Sequence, residues 1–251
     1  MLIRSAVLLF VYFTIFYIVA QLKKNASIVD IGWGLGFVML AVVELFFNFT
    51  TPGIFVTALV MIWGLRLASH IYKRNYDKPE DFRYANFREN WGKVYYVRSY
   101  FQLFIFQGML MFMISLSFLY TINEKAITMI WLFIIGIIIW ITGFSIESLA
   151  DKQLKEFIKN KENKGKLINT GLWKYSRHPN YFGEATLWWG IFIMGIACNT
   201  PWYTIVSPVL ITIMVRFVSG VPMLEKSLMK REGFEEYSRK TSIFIPWFPK
   251  K

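Results

Sequence analysis

The sequence predicts an all-α, polytopic membrane protein with about seven transmembrane helices, its N-terminus outside and its C-terminus in the cytoplasm. Of the 251 residues, 55% are hydrophobic and 19% are aromatic, which is more apolar than an ordinary soluble domain. Seven mostly apolar windows approach the roughly 20 residues that cross about 30 Å of hydrocarbon. The cationic residues gather in alternate connectors, as they do on the cytoplasmic side of multi-pass proteins.

The first window runs into Lys23 and Lys24 without a small-residue cleavage pattern, so it predicts a transmembrane helix rather than a signal peptide. Long connectors follow the third and fifth windows, at 73–98 and 149–179, whereas those after the second, fourth and sixth windows are short. The predicted spans cover residues 2–20, 28–48, 53–72, 99–121, 126–147, 181–198 and 201–218.

The distribution of positive charge sets the predicted orientation. Of the 28 Lys and Arg residues, 24 lie after the first, third, fifth and seventh windows, and only Arg4 and Lys125 lie on the opposite side. The formal net charge of +12 is therefore explained by membrane topology and by anionic lipid or phosphate. We expect membrane lipids as partners and no nucleic acid.

Cysteine and histidine usage limits the possible chemistry. The single cysteine, Cys198, excludes an internal disulfide and offers no cluster of four zinc ligands. Two histidines, His70 and His178, are too few for a histidine-rich di-iron site. We predict no metal site, and without repeats or flexible linkers we predict a single membrane-embedded domain over 1–251.

Charged residues inside apolar windows are costly in hydrocarbon and are functional candidates by default. Arg66 and Arg216 lie within windows, and Asp30, Glu147 and Glu184 lie near window ends. The structural alternative is that a side chain within one turn of a helix end extends its charge to the interface. Both interpretations stay open for Arg216, whereas Arg66 lies farther from the end of its window and favours function.

The strongest local signal leads into the sixth window, where residues 170–184 read TGLWKYSRHPNYFGE. Arg177 and His178 supply hydrogen-bond donors for phosphate, and Pro179 is compatible with a first helical turn whose amides point at an anion. Asn180 and Glu184 are four residues apart, so they share a helix face and are suited to a polar ligand such as a nicotinamide amide. Alternatively, the segment anchors a helix start at the lipid headgroups.

Arg66, His70 and Arg74 are spaced four apart, so they line one stripe of the third helix as it reaches the cytoplasm. We favour phosphate binding by this stripe. The alternative is structural, because cations at a helix C-terminus complement the helix dipole.

Glu147, Asp151, Gln153 and Lys155 end the fifth window. The acid and amide groups are suited to ribose hydroxyls, and Lys155 is suited to a phosphate. Solvated charges at a helix end would produce the same pattern, so this group also has a structural alternative.

Asp30 lies where the second window begins, three residues after Ser27. Serine followed three residues later by an acid is a helix-capping pattern, so Asp30 has a structural explanation. The alternative is a buried carboxyl that desolvation keeps protonated and that donates to a substrate carbonyl.

The 170–184 segment resembles the signature of the steroid 5-alpha-reductase-like membrane proteins, in particular their uncharacterised bacterial branch. The resemblance implies seven helices around a cavity open to the cytoplasm that holds NADPH, with a hydrophobic enone entering from the lipid. It covers most of the chain and includes Asp30-Ile-Gly-Trp33, Gly64-Leu-Arg66 with His70, the Glu147 to Gln153 segment, Ser219-Gly-Val-Pro222 with Glu225, and Tyr237 to Pro246.

By this resemblance Asn180 and Glu184 contact the cofactor, and Arg66, Lys155 and Arg216 lie near it. Characterised steroid reductases carry a Gln-Glu pair on the second span and a catalytic Tyr on the third. Val29-Asp30 and Trp63 occupy those places here, which departs from the steroid-reductase pattern. We therefore predict Asp30 as the proton donor, with Trp63 lining the pocket.

Membrane methyltransferases of the isoprenylcysteine and phospholipid type share an Arg-His-Pro-x-Tyr element and bind S-adenosylmethionine. They commonly place a Glu-Glu pair beyond the last span, where this chain has Glu225-Lys226, and they do not usually combine Asn180 with Glu184. The sequence therefore favours the reductase over the methyltransferase.

The prediction is an NADPH-dependent reductase, in a bacterial inner membrane, that saturates a carbonyl-conjugated C=C bond of a hydrophobic substrate from the bilayer. Hydride attack on such a bond needs a proton donor at the carbonyl oxygen. A transporter or lipid-binding scaffold is the non-enzymatic alternative, although no repeated halves are visible in the sequence.

Overall fold

The computed structural model describes residues 1–76 and 78–250, and the predicted all-α fold class is confirmed. In that part of the chain the extended backbone pairs only at one isolated bridge, between Ser176 and Ser242. Short 3-10 and π-helical segments join the α-helices, which are α1 Leu2–Lys23, α2 Ile28–Phe47, α3 Thr51–Asn75, α4 Phe82–Trp91, α5 Tyr95–Ser99, α6 Phe106–Asn123, α7 Ile130–Lys159, α8 Pro179–Ile196, α9 Val206–Ile213, α10 Val221–Leu228 and α11 Phe234–Lys240.

Within the described chain, six helical stretches are long and apolar enough to cross a membrane, which confirms a multi-pass protein. The sixth predicted span, 181–198, overlaps α8, which is not among these six stretches. The count of seven and the orientation stay predictions. The six stretches are Leu2–Lys23, Ile28–Phe47, Thr51–Asn75, Phe82–Asn123, Ile130–Lys159 and Trp202–Leu228.

The chain divides into two compact units. The first comprises Met1–Thr128 and Cys198–Thr204, and the second comprises Met129–Ala197 and Ile205–Lys251. The first unit therefore contains α1 to α6, and the second contains α7 to α11. The single domain expected from the sequence stays a prediction.

In the first unit, α2 and α3 pack backbone against backbone. A Cβ added at Gly34 would lie 2.5 Å from the carbonyl oxygen of Gly64, so a side chain at Gly34 would force the helices apart. Beside this contact, Trp63 is fully buried and meets Phe37 edge-on with ring centroids 5.5 Å apart. Trp63 is thus part of the core of this unit, and its role at a substrate pocket stays a prediction.

In the second unit, α7 and α8 run antiparallel and touch along glycines. A Cβ added at Gly143 would lie 2.6 Å from the carbonyl oxygen of Gly183, and one at Gly190 would lie 2.7 Å from that of Gly136. Small residues permit such close approach of membrane helices. The contact brings the C-terminal end of α7 against the start of α8.

Candidate functional site

Four polar side chains lie where the end of α7 meets the start of α8: Glu147, Asp151, Asn180 and Glu184, called here the α7–α8 polar face. Glu147 lies opposite Gly183, since a Cβ added at Gly183 would be 2.5 Å from the Glu147 backbone nitrogen. The Asn180 amide nitrogen donates to Asp151 Oδ1 at 3.2 Å. Glu147 and Asp151 are buried, with 3% and 9% exposure. The helices thus bring together residues about thirty positions apart.

The Asn180 side-chain oxygen is shielded from solvent and has no hydrogen-bond partner among the described residues. Its orientation follows from the contact with Asp151, because a carboxylate accepts from the amide nitrogen and leaves the oxygen on the other side. Buried polar atoms are hydrogen-bonded in the great majority of cases. The Asn180 oxygen therefore marks a place where an N–H or O–H group of a ligand fits.

Two cations predicted near a cofactor lie elsewhere in the second unit. Lys155 is exposed on α7, one turn beyond Asp151. Arg216 is half-buried within the π-helical segment Met214–Val218, and its guanidinium carbon lies 4.7 Å from the centroid of the Phe217 ring. Short π-helical segments occur frequently at functional sites.

Glu225 holds the residues that precede α8. Arg177 donates to it through Nε and Nη2 at 3.1 and 2.8 Å, and His178 Nε2 shares a 2.8 Å hydrogen bond with it. Arg177 Nη1 donates to the carbonyl oxygens of Ser238 and Thr241 at 2.9 and 3.0 Å. Arg177, His178 and Glu225, called here the Glu225 clasp, are all at least nine-tenths buried.

The C-terminal segment is bonded to the same stretch of chain. The Arg177 backbone nitrogen donates to the Ser242 carbonyl at 2.8 Å, and the Tyr237 hydroxyl donates to the Trp173 carbonyl at 2.6 Å. Burial raises the pKa of Tyr237, so its hydroxyl remains a donor. These bonds favour the structural alternative, in which Arg177 and His178 anchor the start of the helix. Phosphate binding by these two residues stays a prediction.

In the first unit, Asp30 is the acceptor of two strong hydrogen bonds. The Tyr84 hydroxyl donates to it at 2.6 Å, and Arg83 Nη2 donates at 2.9 Å. Asp30, Arg83 and Tyr84 are called here the Asp30 cluster. The Arg83 cation pairs with the Asp30 carboxyl group, and the Tyr84 hydroxyl directs its proton at the same group.

The capping pattern expected between Ser27 and Asp30 is not formed, which corrects the structural explanation for Asp30. Ser27 makes no side-chain capping bond to its own helix, because its hydroxyl accepts from the Asp81 backbone nitrogen at 2.7 Å. Burial disfavours the Asp81 carboxylate, but hydrogen bonds from Arg83 outweigh burial and lower the pKa of Asp81. The loop before α4 and the first turn of α4 thus supply partners that the capping pattern could not reveal.

The predicted stripe of Arg66, His70 and Arg74 lies on α3 in the first unit. Arg66 and His70 are half-buried and Arg74 is exposed, with its Nε donating to Asn75 Oδ1 at 3.3 Å. Phosphate binding by this stripe stays a prediction. Among the described residues, His, Cys, Asp and Glu form no group of three or more that is arranged to hold a metal ion.

Three residues of these clusters were missed as site candidates from the sequence. Arg83 and Tyr84 belong to a long polar connector in which no spacing connects them to Asp30. Glu225 is a single acid beyond the last predicted span. A buried acid requires a cation or a hydrogen-bond donor as its partner. This rule predicts that such a partner exists, but it does not say which residue it is.

A family profile described as a protein of unknown function, DUF1295, matches residues 16–241. The chain belongs to the DUF1295 family. The DUF1295 family is related to the steroid 5-alpha-reductase family, which agrees with the resemblance of the 170–184 segment. The predicted membership of the steroid 5-alpha-reductase-like proteins is confirmed.

Two curated relatives were found by sequence. An uncharacterized protein of Schizosaccharomyces pombe is 26% identical over 202 residues, covering 68% of this chain and 58% of that protein. The steroid 5-alpha-reductase DET2 of Arabidopsis thaliana is 38% identical over 65 residues, covering 26% of this chain and 24% of that protein. This chain thus matches less than two thirds of either relative's length. No solved structure matches it.

Proposed function

We propose that this DUF1295 protein is an NADPH-dependent membrane reductase that saturates a C=C bond conjugated to a carbonyl group. The observation that carries the proposal is the unpartnered, buried oxygen of Asn180 beside the buried carboxylates Glu147 and Asp151. Similarity to a steroid 5-alpha-reductase supports the same class of reaction. When bound, NADPH supplies the hydride that such a reaction consumes.

The donors and acceptors of the second unit fit the chemistry of this cofactor. The oxygen atoms of Glu147, Asp151 and Asn180 are suited to accept hydrogen bonds from ribose hydroxyls and from a carboxamide NH2 group. Lys155 and Arg216 supply positive charge for phosphates. The Glu225 clasp fixes the start of α8 and so holds Asn180 in position.

In the first unit we assign acid chemistry to the Asp30 cluster. Its Tyr84 hydroxyl carries the proton, and Asp30 orients that hydroxyl through the 2.6 Å hydrogen bond. Arg83 pairs with the same carboxyl group at 2.9 Å. The prediction of Asp30 as proton donor is thereby refined to a proposal in which Asp30 acts together with Tyr84.

The proposed substrate is a hydrophobic enone, steroid-like or isoprenoid-like, that is taken from the bilayer. A multi-pass protein is surrounded by lipid, so a substrate of this class reaches it by partitioning into the membrane. The bacterial inner membrane is the proposed location.

Calorimetry separates the two cofactor classes. We expect NADPH to bind the detergent-solubilised protein with a Kd of roughly micromolar or tighter, because its phosphates would gain from Lys155 and Arg216 of the second unit. S-adenosylmethionine carries a cationic sulfonium and should give no binding heat at the same concentrations. Heat from S-adenosylmethionine alone would instead assign the chain to the membrane methyltransferases.

Asn180→Ala and Glu184→Gln should each weaken NADPH binding by roughly tenfold or more. Removing a hydrogen-bond partner from a buried ligand typically costs about 1 to 3 kcal/mol. Without ligand, the Tm of Asn180→Ala should fall only modestly, because Asn180 gives up the single hydrogen bond to Asp151 and its oxygen makes none within the described chain. Calorimetry with NADPH and Tm measurements provide the two readouts.

Thr186→Ala is the matched control on α8. Its hydroxyl donates to the Phe182 carbonyl of its own helix at 2.7 Å, so its loss should change neither readout appreciably. If both test variants bind NADPH like the parent, or unfold before binding is measured, the cofactor assignment at α8 must be withdrawn.

A further inference from the structure

A polar groove in the second unit lies outside the α7–α8 polar face. It has a volume of about 730 Å³ and is formed by the connector before α8, by α11 and by the end of the described chain. Four lysines and two glutamates contribute charge to its lining: Lys164, Lys166, Lys174, Lys240, Glu232 and Glu236. This surface is called here the lysine groove.

The charge of the lysine groove is not neutralised from within. Lys240 pairs with Glu236 at 2.8 Å, one turn away on α11. Lys164, Lys166 and Lys174 are exposed, and none of them forms a salt bridge within the part of the chain that the structure describes. With four ammonium groups against two carboxylates in its lining, the groove keeps a net charge of +2, which suits an anion that bears phosphate oxygens.

Exposed apolar side chains follow the same surface toward the C-terminus. Ile245, Trp247 and Phe248 are 61%, 69% and 77% exposed, and Pro249, the next residue, lines the groove. Tryptophan and other large apolar residues that are adjacent to lysines are typical of segments at the level of the lipid headgroups. If the ligand were a soluble phosphate compound, the exposed aromatic rings at the edge of the groove would have no explanation.

We propose that the lysine groove binds the phosphate of an anionic phospholipid headgroup, while Trp247 and Phe248 enter the membrane interface beside it. The ligand chemistry is a phosphate ester anion, and the membrane is its source. Each lysine near an anionic membrane surface adds to the attraction, so three together give a preference for anionic over zwitterionic lipid. The inference does not depend on the proposed reductase activity.

The test uses the full chain in micelles of detergent and phosphatidylcholine, to which phosphatidylglycerol is added in steps. At each step the Tm is measured from tryptophan fluorescence. Phosphatidylglycerol should raise the Tm of the parent. Lys164→Gln, Lys166→Gln and Lys174→Gln combined should raise the half-saturating phosphatidylglycerol concentration by about tenfold or more. In phosphatidylcholine alone this variant should melt like the parent, because the three side chains are exposed.

The matched control removes the same charge elsewhere. Lys73→Gln, Lys78→Gln and Lys93→Gln combined affect three exposed lysines of the first unit and should shift the half-saturating phosphatidylglycerol concentration much less than the groove variant does. Equal responses of both triple variants would overturn the groove as the site. Stabilisation of the parent by free glycerol 3-phosphate to the same extent would overturn the lipid as the source. Weaker NADPH binding by the groove variant, with an unchanged lipid response, would also overturn the proposal.

Discussion

Glu225→Ala is expected to destabilise the protein by about 3 to 5 kcal/mol, which is the usual cost of removing one partner from a buried ion pair. The substitution leaves the Arg177 guanidinium and the His178 ring without their shared acceptor, and both side chains are buried. For a chain of this size the Tm should fall by roughly 10 °C. Thermal unfolding in detergent measures the effect.

Glu225→Gln and Glu156→Ala provide the comparison. Glutamine retains an acceptor oxygen but not the charge, so its Tm should lie between those of the parent and Glu225→Ala. Glu156 is exposed and lies 4.0 Å from Lys152, and a surface pair of this kind contributes little, so its removal should leave the Tm nearly unchanged. A Glu225→Ala protein that melts like Glu156→Ala would show that the clasp does not hold the start of α8.

Tyr84→Phe is expected to lower the rate of enone reduction by about 10²- to 10⁴-fold, the contribution typical of a positioned general acid. Phenylalanine keeps the ring but removes the proton that lies next to Asp30. Affinity for NADPH should stay within about twofold of the parent, because the proposed cofactor contacts belong to α7, α8 and Arg216. The measurement is NADPH oxidation with steroid and isoprenoid enones, combined with calorimetry for the cofactor.

Tyr12→Phe is the control for simple loss of a tyrosine hydroxyl. Tyr12 donates to the Gly32 carbonyl at 2.8 Å, in the same unit, and has no acid partner there. It should retain most of the parent's activity. Asp30→Asn should lower the rate as well, since the amide no longer holds the Tyr84 hydroxyl by a charge-assisted bond. Full activity of Tyr84→Phe would remove Tyr84 from the proposed reaction.

The sequence by itself determined the membrane class, most of the spans and the helix start at residue 179. Hydropathy is a sum over neighbouring residues, so about twenty apolar positions in succession identify a span wherever the rest of the chain lies. The shared face of Asn180 and Glu184 likewise follows from helical periodicity alone. The family signature around these residues could be read for the same reason, since it lies in one continuous segment.

Only the tertiary structure decided the partners of the charged residues. Asp30 is bonded to Arg83 and Tyr84, 53 and 54 positions away, and Arg177 is bonded to Glu225, 48 positions away. A buried carboxylate must find a donor, but no local pattern states which distant loop provides it. Ser27 and Asp30 at the start of α2 suggested a cap, but the Ser27 hydroxyl accepts from the Asp81 backbone nitrogen. Asp30 instead accepts from Arg83 and Tyr84 in the first turn of α4.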